Sequence, residues 1–363
     1  MIIGLPKEIK TKETRVAIIP KGVAQLTQAG HTVLVETNAG VGSGFSDDAY
    51  RQAGGTLVVD ASQVWSEAEM IVKVKEPTEN EYRYFRPNLT IFTYLHLASV
   101  PALTDALCEK KVTGIGYETV ETSDGELPLL TPMSEVAGRI GSQIGTYLLH
   151  ANHGGKGLLL GGVTGTRKGL VTVIGAGHVG LNAADVAVGL GAEVVILDVK
   201  DHKLKKVEER YHGKAKAIRS TPQSIAEWTS KSDLVVGAVL VSGDKAPTVM
   251  SRDMVAQMES GSVIVDVAID QGGCVETSRP TSHAAPTYVE HGVIHYCVTN
   301  MPALTPRTST EALTTATLPY VLKLANLGVE KALSTDAALK LGLQTKNGKS
   351  AHAVITKLFP QWA

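Results

Sequence analysis

The chain of 363 residues is poor in aromatics, in net charge, in cysteine and in long apolar runs. Aromatic residues make up 5%, too few for platforms on which bases stack. The formal net charge is −1, which leaves no basic face for nucleic acid or anionic lipid. A membrane is not expected either, because no uncharged apolar run approaches the ~20 residues needed to cross a bilayer. Three cysteines, Cys108, Cys274 and Cys297, are widely spaced and form no C-x-x-C. Such a set makes neither a disulfide framework nor a thiolate zinc site, and it suits a reducing cytosol. The opening "MIIGLPKEIKTKETR" turns charged too early for a signal peptide. The acidic residues lack metal-ligand spacing, so no metal is expected.

What remains is an ordinary globular composition, 43% hydrophobic and 20% charged. The length suggests two domains at roughly 150 residues each. Short β-rich runs alternate with helical patterns. "IIGL" is followed by "PKGVAQLTQAG", with Pro20 to open a helix and Gly30 to close it. "HTVLVE" precedes "SDDAYRQAGG", where Ser46 is an N-cap candidate. "TLVV", "MIVKV", "LTIF" and "VTGIGYE" continue the strand series. Strands apolar throughout and separated by helices imply a parallel sheet covered on both faces, an α/β domain over residues 1–128. "PMSEVAGRIGSQIGTYLLHAN" then reads as a long helix, its Gly138, Gly141 and Gly145 being small residues for close packing. "GGKGLLLGGVTGTRKG" reads as a loop and lacks the P-loop order.

A second series runs through "LVTVI", "AEVVILD", "KAIR", "DLVVGAV", "SVIVDVA" and "VIHYCV". Six such strands suit a doubly wound dinucleotide fold, over residues 129–306. "TSTEALTTATLPYVLKLANLG" is one amphipathic helix, and the tail it opens carries no further β/α unit. This tail, residues 307–363, is expected to cross back onto the first domain, making that domain discontinuous.

Gly175, Gly177 and Gly180 form G-x-G-x-x-G between a strand and a helix. The context is the one a dinucleotide requires: a tight turn at the first glycine, backbone approach to pyrophosphate at the second, and close helix–strand packing at the third. The helix N-terminus offers N–H groups to the phosphates. Asp198 ends the next strand. A carboxylate there accepts from ribose hydroxyls and repels a 2′-phosphate, favouring NAD over NADP, although Lys200 and Lys203 soften that preference. The bland alternative is that Asp198 caps a loop.

Ligands bind at the carboxyl ends of parallel strands. Arg15 lies in the loop after "IIGL", Lys75 at the end of "MIVKV", and His96 after "LTIF". Asp270 ends "SVIVDVAI", and Asn300 with Met301 follows "VIHYCV". Each has a structural alternative: a core histidine, a solvated lysine, a surface arginine, a turn-capping aspartate. Their shared position at strand tips favours a site, with the two domains expected around a central cleft.

With these residues in place, the chain resembles the alanine dehydrogenase/transhydrogenase N-terminal family. The stretches are "GLPKEIKTKETRVAIIP", "VKVKEP", "FTYLHLA", "PLLTPMSEVAGR", "VTVIGAGHVGLNAA", "DQGGC" and "NMPALTPRTST", spread over nearly the entire chain. The resemblance implies a Rossmann-type NAD-binding domain, a flavodoxin-like substrate domain, and a cytoplasmic homohexamer. It implies NAD-dependent oxidative deamination of L-alanine to pyruvate and ammonium, and the reverse. Arg15 would clamp the substrate carboxylate, Lys75 would add a point charge, His96 would be the general acid/base, and Asp270 would help activate water. For the cofactor it implies Ser134 near the pyrophosphate, His178 and Val179 in the phosphate turn, Lys203 near the ribose and Ser220 on the adenine side. Val239 and Leu240 follow the fourth strand, Ile269 and Asp270 join the cofactor set, and Asn300 and Met301 lie near the nicotinamide, with Pro302 keeping Met301 extended. Rival readings are a soluble NAD(H)-binding transhydrogenase module, a saccharopine-type dehydrogenase, and an NADH-sensing regulator.

Overall fold

The computed structural model describes residues 1–239 and 246–363, and they divide into two compact units. Unit 1 comprises Met1–Met133 and Ala303–Ala363; unit 2 comprises Ser134–Pro302. Among the described residues no helix is long and apolar enough to cross a membrane.

Unit 1 is built on β1 (Ile2–Leu5), β2 (Thr32–Glu36), β3 (Thr56–Val58), β4 (Met70–Val72), β5 (Thr90–Thr93) and β6 (Thr113–Gly116). They are parallel in the order β3-β2-β1-β4-β5-β6. β4 and β5 are buried at every position, as helices on both faces require. Val64, Trp65, Phe85, Leu103 and Leu107 form a core that Ile355 of the C-terminal segment joins.

Unit 2 repeats the plan with β7 (Leu170–Ile174), β8 (Glu193–Asp198), β9 (Ala215–Arg219), β10 (Leu234–Gly237), β11 (Val263–Asp266), β12 (Thr287–Glu290) and β13 (Val293–Tyr296). Its order is β12-β13-β11-β10-β7-β8-β9. The inner strands are β-branched and buried, whereas the edge strands β9 and β12 are partly exposed along their length. The helix Thr131–Leu148 packs tightly in this unit. A Cβ on Gly138 would stand 2.1 Å from the Val179 carbonyl oxygen, and one on Gly145 would stand 2.4 Å from Leu234 Cδ1.

Both sheets are doubly wound, and three details differ from expectation. The parallel part of unit 1 follows the 3-2-1-4-5-6 order rather than the flavodoxin-like 2-1-3-4-5. The tail is not wholly helical: β14 (Leu343–Lys346) and β15 (Lys349–Ser350) form a hairpin, with β14 antiparallel to β6. β12, also unexpected, pairs antiparallel with β13. All three extra strands are short; β12 and β15 are edge strands and β14 is next to the edge, between β15 and β6, where no long apolar run is needed. The helix Pro306–Leu327 lies against unit 1, where Thr310 Oγ1 accepts from Val16 N–H at 3.3 Å and Thr314 Oγ1 accepts from Ile19 N–H at 3.2 Å.

Candidate active site

In unit 2 the strand order reverses between β7 and β10, and the glycine turn leaves β7 at that point. Gly175 has φ +112, and a Cβ there would lie 2.5 Å from the Ala238 carbonyl oxygen. A Cβ on Gly180 would lie 1.8 Å from the Gly175 carbonyl oxygen, so only glycine lets the helix His178–Gly189 press against the turn. Gly177 is the opposite case: its Cβ position is open, the nearest atom being Lys203 Nζ at 4.0 Å. That open cradle before a helix N-terminus fits a pyrophosphate. His178 is exposed and Val179 half-buried at the start of the helix, and Ser134 is half-buried in the first turn of Thr131–Leu148.

Asp198 ends β8 and is buried. Its Oδ2 accepts from Ala176 N–H at 2.8 Å and its Oδ1 from Lys200 N–H at 2.9 Å, while Lys203 Nζ is 4.0 Å from Oδ2. The carboxylate therefore does cap the glycine turn, and each oxygen retains a second lone pair for a ribose hydroxyl. Ser220 follows β9 and donates its N–H to the Asp198 carbonyl at 2.9 Å. Val239 follows β10; Leu240 lies outside the described residues.

Beyond β11 the chain folds back over Asp266. This fully buried carboxylate accepts from Ala268 N–H at 3.1 Å, Cys274 N–H at 2.9 Å and Val275 N–H at 3.2 Å. Burial holds its carboxyl above the ordinary range, against the lowering effect of the Ser278 hydroxyl and these N–H groups. The loop so tied presents buried Ile269 and exposed Asp270. Asp270 Oδ1 accepts from Asn300 N–H at 3.2 Å, and Asn300 has φ +60. Met301 is buried and opens a short 3₁₀ turn, Met301–Leu304. It is thus not held extended: the bias set by Pro302 is a local steric one, and packing around the buried side chain overrides it.

In unit 1 Arg15 is 2% exposed, so the surface-charge alternative is wrong. Glu13 takes its Nε at 2.7 Å and its Nη2 at 2.6 Å, and Nη1 lies 3.1 Å from Met133 Sδ. Burial opposes the charge, and the Glu13 fork more than offsets it, holding the guanidinium pKa above its ordinary value. Below lies a second buried set. Lys73 Nζ stands 3.1 Å from Glu8 Oε2 and 2.9 Å from Glu81 Oε1, while Glu8 Oε1 accepts from Val74 N–H at 2.7 Å and Lys75 N–H at 3.2 Å. Lys75 is half-buried, with Nζ 3.5 Å from Glu76 Oε2. Burial alone would raise the Glu76 carboxyl, but Lys75, Lys10 and His96 hold it below the ordinary carboxylate range.

His96 is half-buried just past β5, and its imidazole makes no hydrogen bond among the described residues. Its ring stacks on Tyr94 at 5.7 Å and 7°. Tyr94 is buried, donates its hydroxyl to the Leu129 carbonyl at 2.5 Å, and faces Arg15 electrostatically. Unit 1 therefore brings Arg15, Lys75 and His96 to one edge, linked through Tyr94 and Glu76. Unit 2 brings Asp270 together with Asn300, and Asp198 together with Lys203. Glu13, Glu76 and Tyr94 were missed in the sequence, as was Glu118, which lies just past β6 and whose Oε1 accepts from His96 N–H at 2.7 Å. Glu118 and Glu76 follow strand ends, a signal that was there to read; the Glu13 fork had none.

In unit 2 the parallel strands β9-β8-β7-β10-β11-β13 also follow the 3-2-1-4-5-6 order, and such a sheet with a glycine cradle at its switch point and an acid closing its second strand defines a protein of the dinucleotide-fold dehydrogenase class. Models of the alanine dehydrogenase/PNT N-terminal and C-terminal domains match residues 4–137 and 141–353. The alanine dehydrogenase of Bacillus subtilis (strain 168) is 54% identical over 359 residues, covering 98% of this chain and 94% of that protein. That of Staphylococcus haemolyticus (strain JCSC1435) is 52% identical over 360 residues, covering 99% and 96%. A solved L-alanine dehydrogenase superposes with TM-score 0.97 at 49% identity over 100% of both chains. A transhydrogenase from Sinorhizobium meliloti has TM-score 0.82 at 22% identity, covering 97% and 99%, a likeness of fold alone. The chain belongs to the alanine dehydrogenase/PNT family.

Proposed function

We propose that the protein catalyses the reversible, NAD-dependent oxidative deamination of L-alanine to pyruvate and ammonium. The observation that carries this reading is the 54% identity over 98% of the chain to an alanine dehydrogenase. Unit 1 binds the substrate and unit 2 the cofactor. NAD, when bound, accepts the hydride from the substrate Cα. Gly175, Gly177 and Gly180 hold its pyrophosphate, with Ser134, His178 and Val179 close by. Asp198 takes the ribose hydroxyls, with Lys203 beside them and Ser220 on the adenine side. Val239, Leu240, Ile269, Asp270, Asn300 and Met301 complete the cofactor set.

Arg15 fixes the substrate carboxylate by charge-assisted hydrogen bonds, its plane set by Glu13. Lys75 stabilises charge developing on the carbonyl oxygen. His96 takes the proton from the attacking water and returns it in the reverse direction. Asp270 orients that water and the amino group. Alanine, water and NAD thus yield pyruvate, ammonium, NADH and a proton. A homohexamer in the cytoplasm is the assembly and compartment that go with this reading; three buried free thiols support a reducing compartment. The transhydrogenase-like module is not favoured, because the relatives that are 54% and 52% identical along nearly their full length are alanine dehydrogenases.

The test is to mix the protein with NAD and a panel of L-amino acids and follow absorbance at the NADH band. Alanine-dependent reduction is expected. Silence with every amino acid, together with tight NADH binding, would mean a binding module or a sensor instead.

A further inference from the structure

We propose that Glu118 is a positioning residue for His96, and that the C-terminal strand β14 acts on it through Gln344. The inference rests on the reading of His96 as the acid–base group. His96 has φ 49 and ψ 38, a left-handed conformation that is uncommon for a residue bearing a Cβ. β5 ends at Thr93; Tyr94 N–H still reaches the Val74 carbonyl at 3.4 Å, and the amides of Leu95 and His96 then need another acceptor. Glu118 is that acceptor. Its Oε1 lies 2.7 Å from His96 N and 3.3 Å from Leu95 N, and its Oε2 lies 3.2 Å from Leu95 N. The ring is fixed separately by its 5.7 Å stack on Tyr94. Backbone and imidazole are thus held by different groups, and the carboxylate sets the direction in which the ring leaves the chain.

Glu118 is itself held from the far end of the sequence. Gln344 Nε2 donates to Glu118 Oε1 at 3.0 Å and to Thr119 Oγ1 at 3.3 Å. Gln344 is 2% exposed, and its Oε1 is buried with no hydrogen-bond partner among the described residues. An apolar side chain of the same shape would avoid that unsatisfied oxygen, so stability alone does not account for the amide; the N–H it delivers to Glu118 does. The room for it is specific, because a Cβ on Gly116 would stand 2.0 Å from Gln344 Nε2. Three N–H donors converge on Glu118, which suits an acceptor-only carboxylate. An amide in its place turns its own N–H₂ toward one of them.

The experiment is steady-state kinetics and NADH titration on Glu118→Gln, Gln344→Met, His96→Asn and the Glu118→Gln/His96→Asn double variant. Glu118→Gln should lower kcat by about tenfold or more through a misdirected ring, with the alanine KM within about threefold and NADH affinity unchanged. Gln344→Met should lower kcat by roughly threefold to tenfold with an unchanged or higher melting temperature. In the His96→Asn background the Glu118→Gln effect should vanish, because the group being positioned is gone. Near-normal turnover by His96→Asn would sink the acid–base reading and the proposal with it. If His96→Asn is impaired while Glu118→Gln stays within about twofold, or is as harmful in both backgrounds, only the positioning role falls. Should Glu118→Gln not fold, Gln344→Met decides alone, and a kcat within about twofold overturns the proposal.

Discussion

Two glycines of the phosphate turn, three residues apart, should fail in opposite ways when given a methyl group. At Gly180 the helix would gain about 1 kcal/mol in propensity from alanine, but the added Cβ meets the Gly175 carbonyl oxygen at 1.8 Å and Val173 Cγ1 at 3.1 Å. Relief requires the helix to move outward by about 1.6 Å, judged against ordinary non-bonded contact. Overpacking of that kind costs typically 1–3 kcal/mol, and here the obstacle is backbone. A net loss of about 2 kcal/mol lowers the melting temperature of a unit this size by roughly 4–8 °C. At Gly177 the φ is −88 and the Cβ position is open, so the methyl strains nothing. Its only intrinsic penalty is that alanine caps a helix less well, about 0.5–1 kcal/mol. In the proposed reading a pyrophosphate approaches where the methyl would stand. Losing that contact should weaken NADH by about tenfold to hundredfold, or 1.4–2.8 kcal/mol. Differential scanning calorimetry and NADH fluorescence titration on Gly177→Ala and Gly180→Ala read both quantities. Parental NADH affinity in Gly177→Ala would refute the assignment of this turn to the phosphates.

Three further outcomes follow. Asp198→Ala should raise KM for NAD by about tenfold or more and erase discrimination against NADP, with KM for alanine changed by less than about threefold; equal effects on both would leave Asp198 as a loop cap only. Arg15→Lys should raise KM for alanine by about hundredfold, the loss of two charge-assisted bonds at roughly 1.5 kcal/mol each, and should lower the melting temperature because Glu13 loses its fork; an unchanged KM would remove the clamp. For acid stability, burial alone would raise the Asp233 carboxyl, but the Arg167 fork, the Leu170 N–H and Lys156 hold it below the ordinary range. A depressed folded pKa gives stability that is complete above the unfolded value of about 3.9 and fades as pH falls through it toward the folded one. Melting temperature should therefore fall less steeply from pH 5 to pH 3, about one unit either side of that value, in Asp233→Asn than in the parent; parallel curves would contradict the assignment.

The parallel strands were legible because burial on both faces leaves little choice of residue: "LVTVI" and the "VIV" of β11 are dominated by apolar and β-branched residues. The glycine turn was legible for a related reason, since Gly175 and Gly180 sit where no Cβ fits. What could not be read depends on distant pairing. β14 is four residues of mixed polarity, and its Thr345 is buried only because its hydroxyl meets Gly114 N–H at 3.1 Å and the Val112 carbonyl at 3.1 Å across the sheet. The Glu13–Arg15 fork and the Glu118–Gln344 bond exist only once turns have folded, and neither leaves a period or spacing in the chain. Arg15 and His96 were visible as polar residues at strand tips; Glu118 shares that kind of position just past β6, whereas Glu13 and Gln344, the other orienting groups, carry no such mark.

The most direct measurement is isotope transfer. The protein is incubated with NAD and L-alanine deuterated at Cα, and the reduced cofactor and products are followed by NMR and enzymatic assay. Hydride transfer from Cα predicts deuterium at nicotinamide C4, with pyruvate and ammonium formed in equal amount to the reduced cofactor. Reduced cofactor without the label, pyruvate out of proportion to it, or no reduction at all would contradict the proposed reaction.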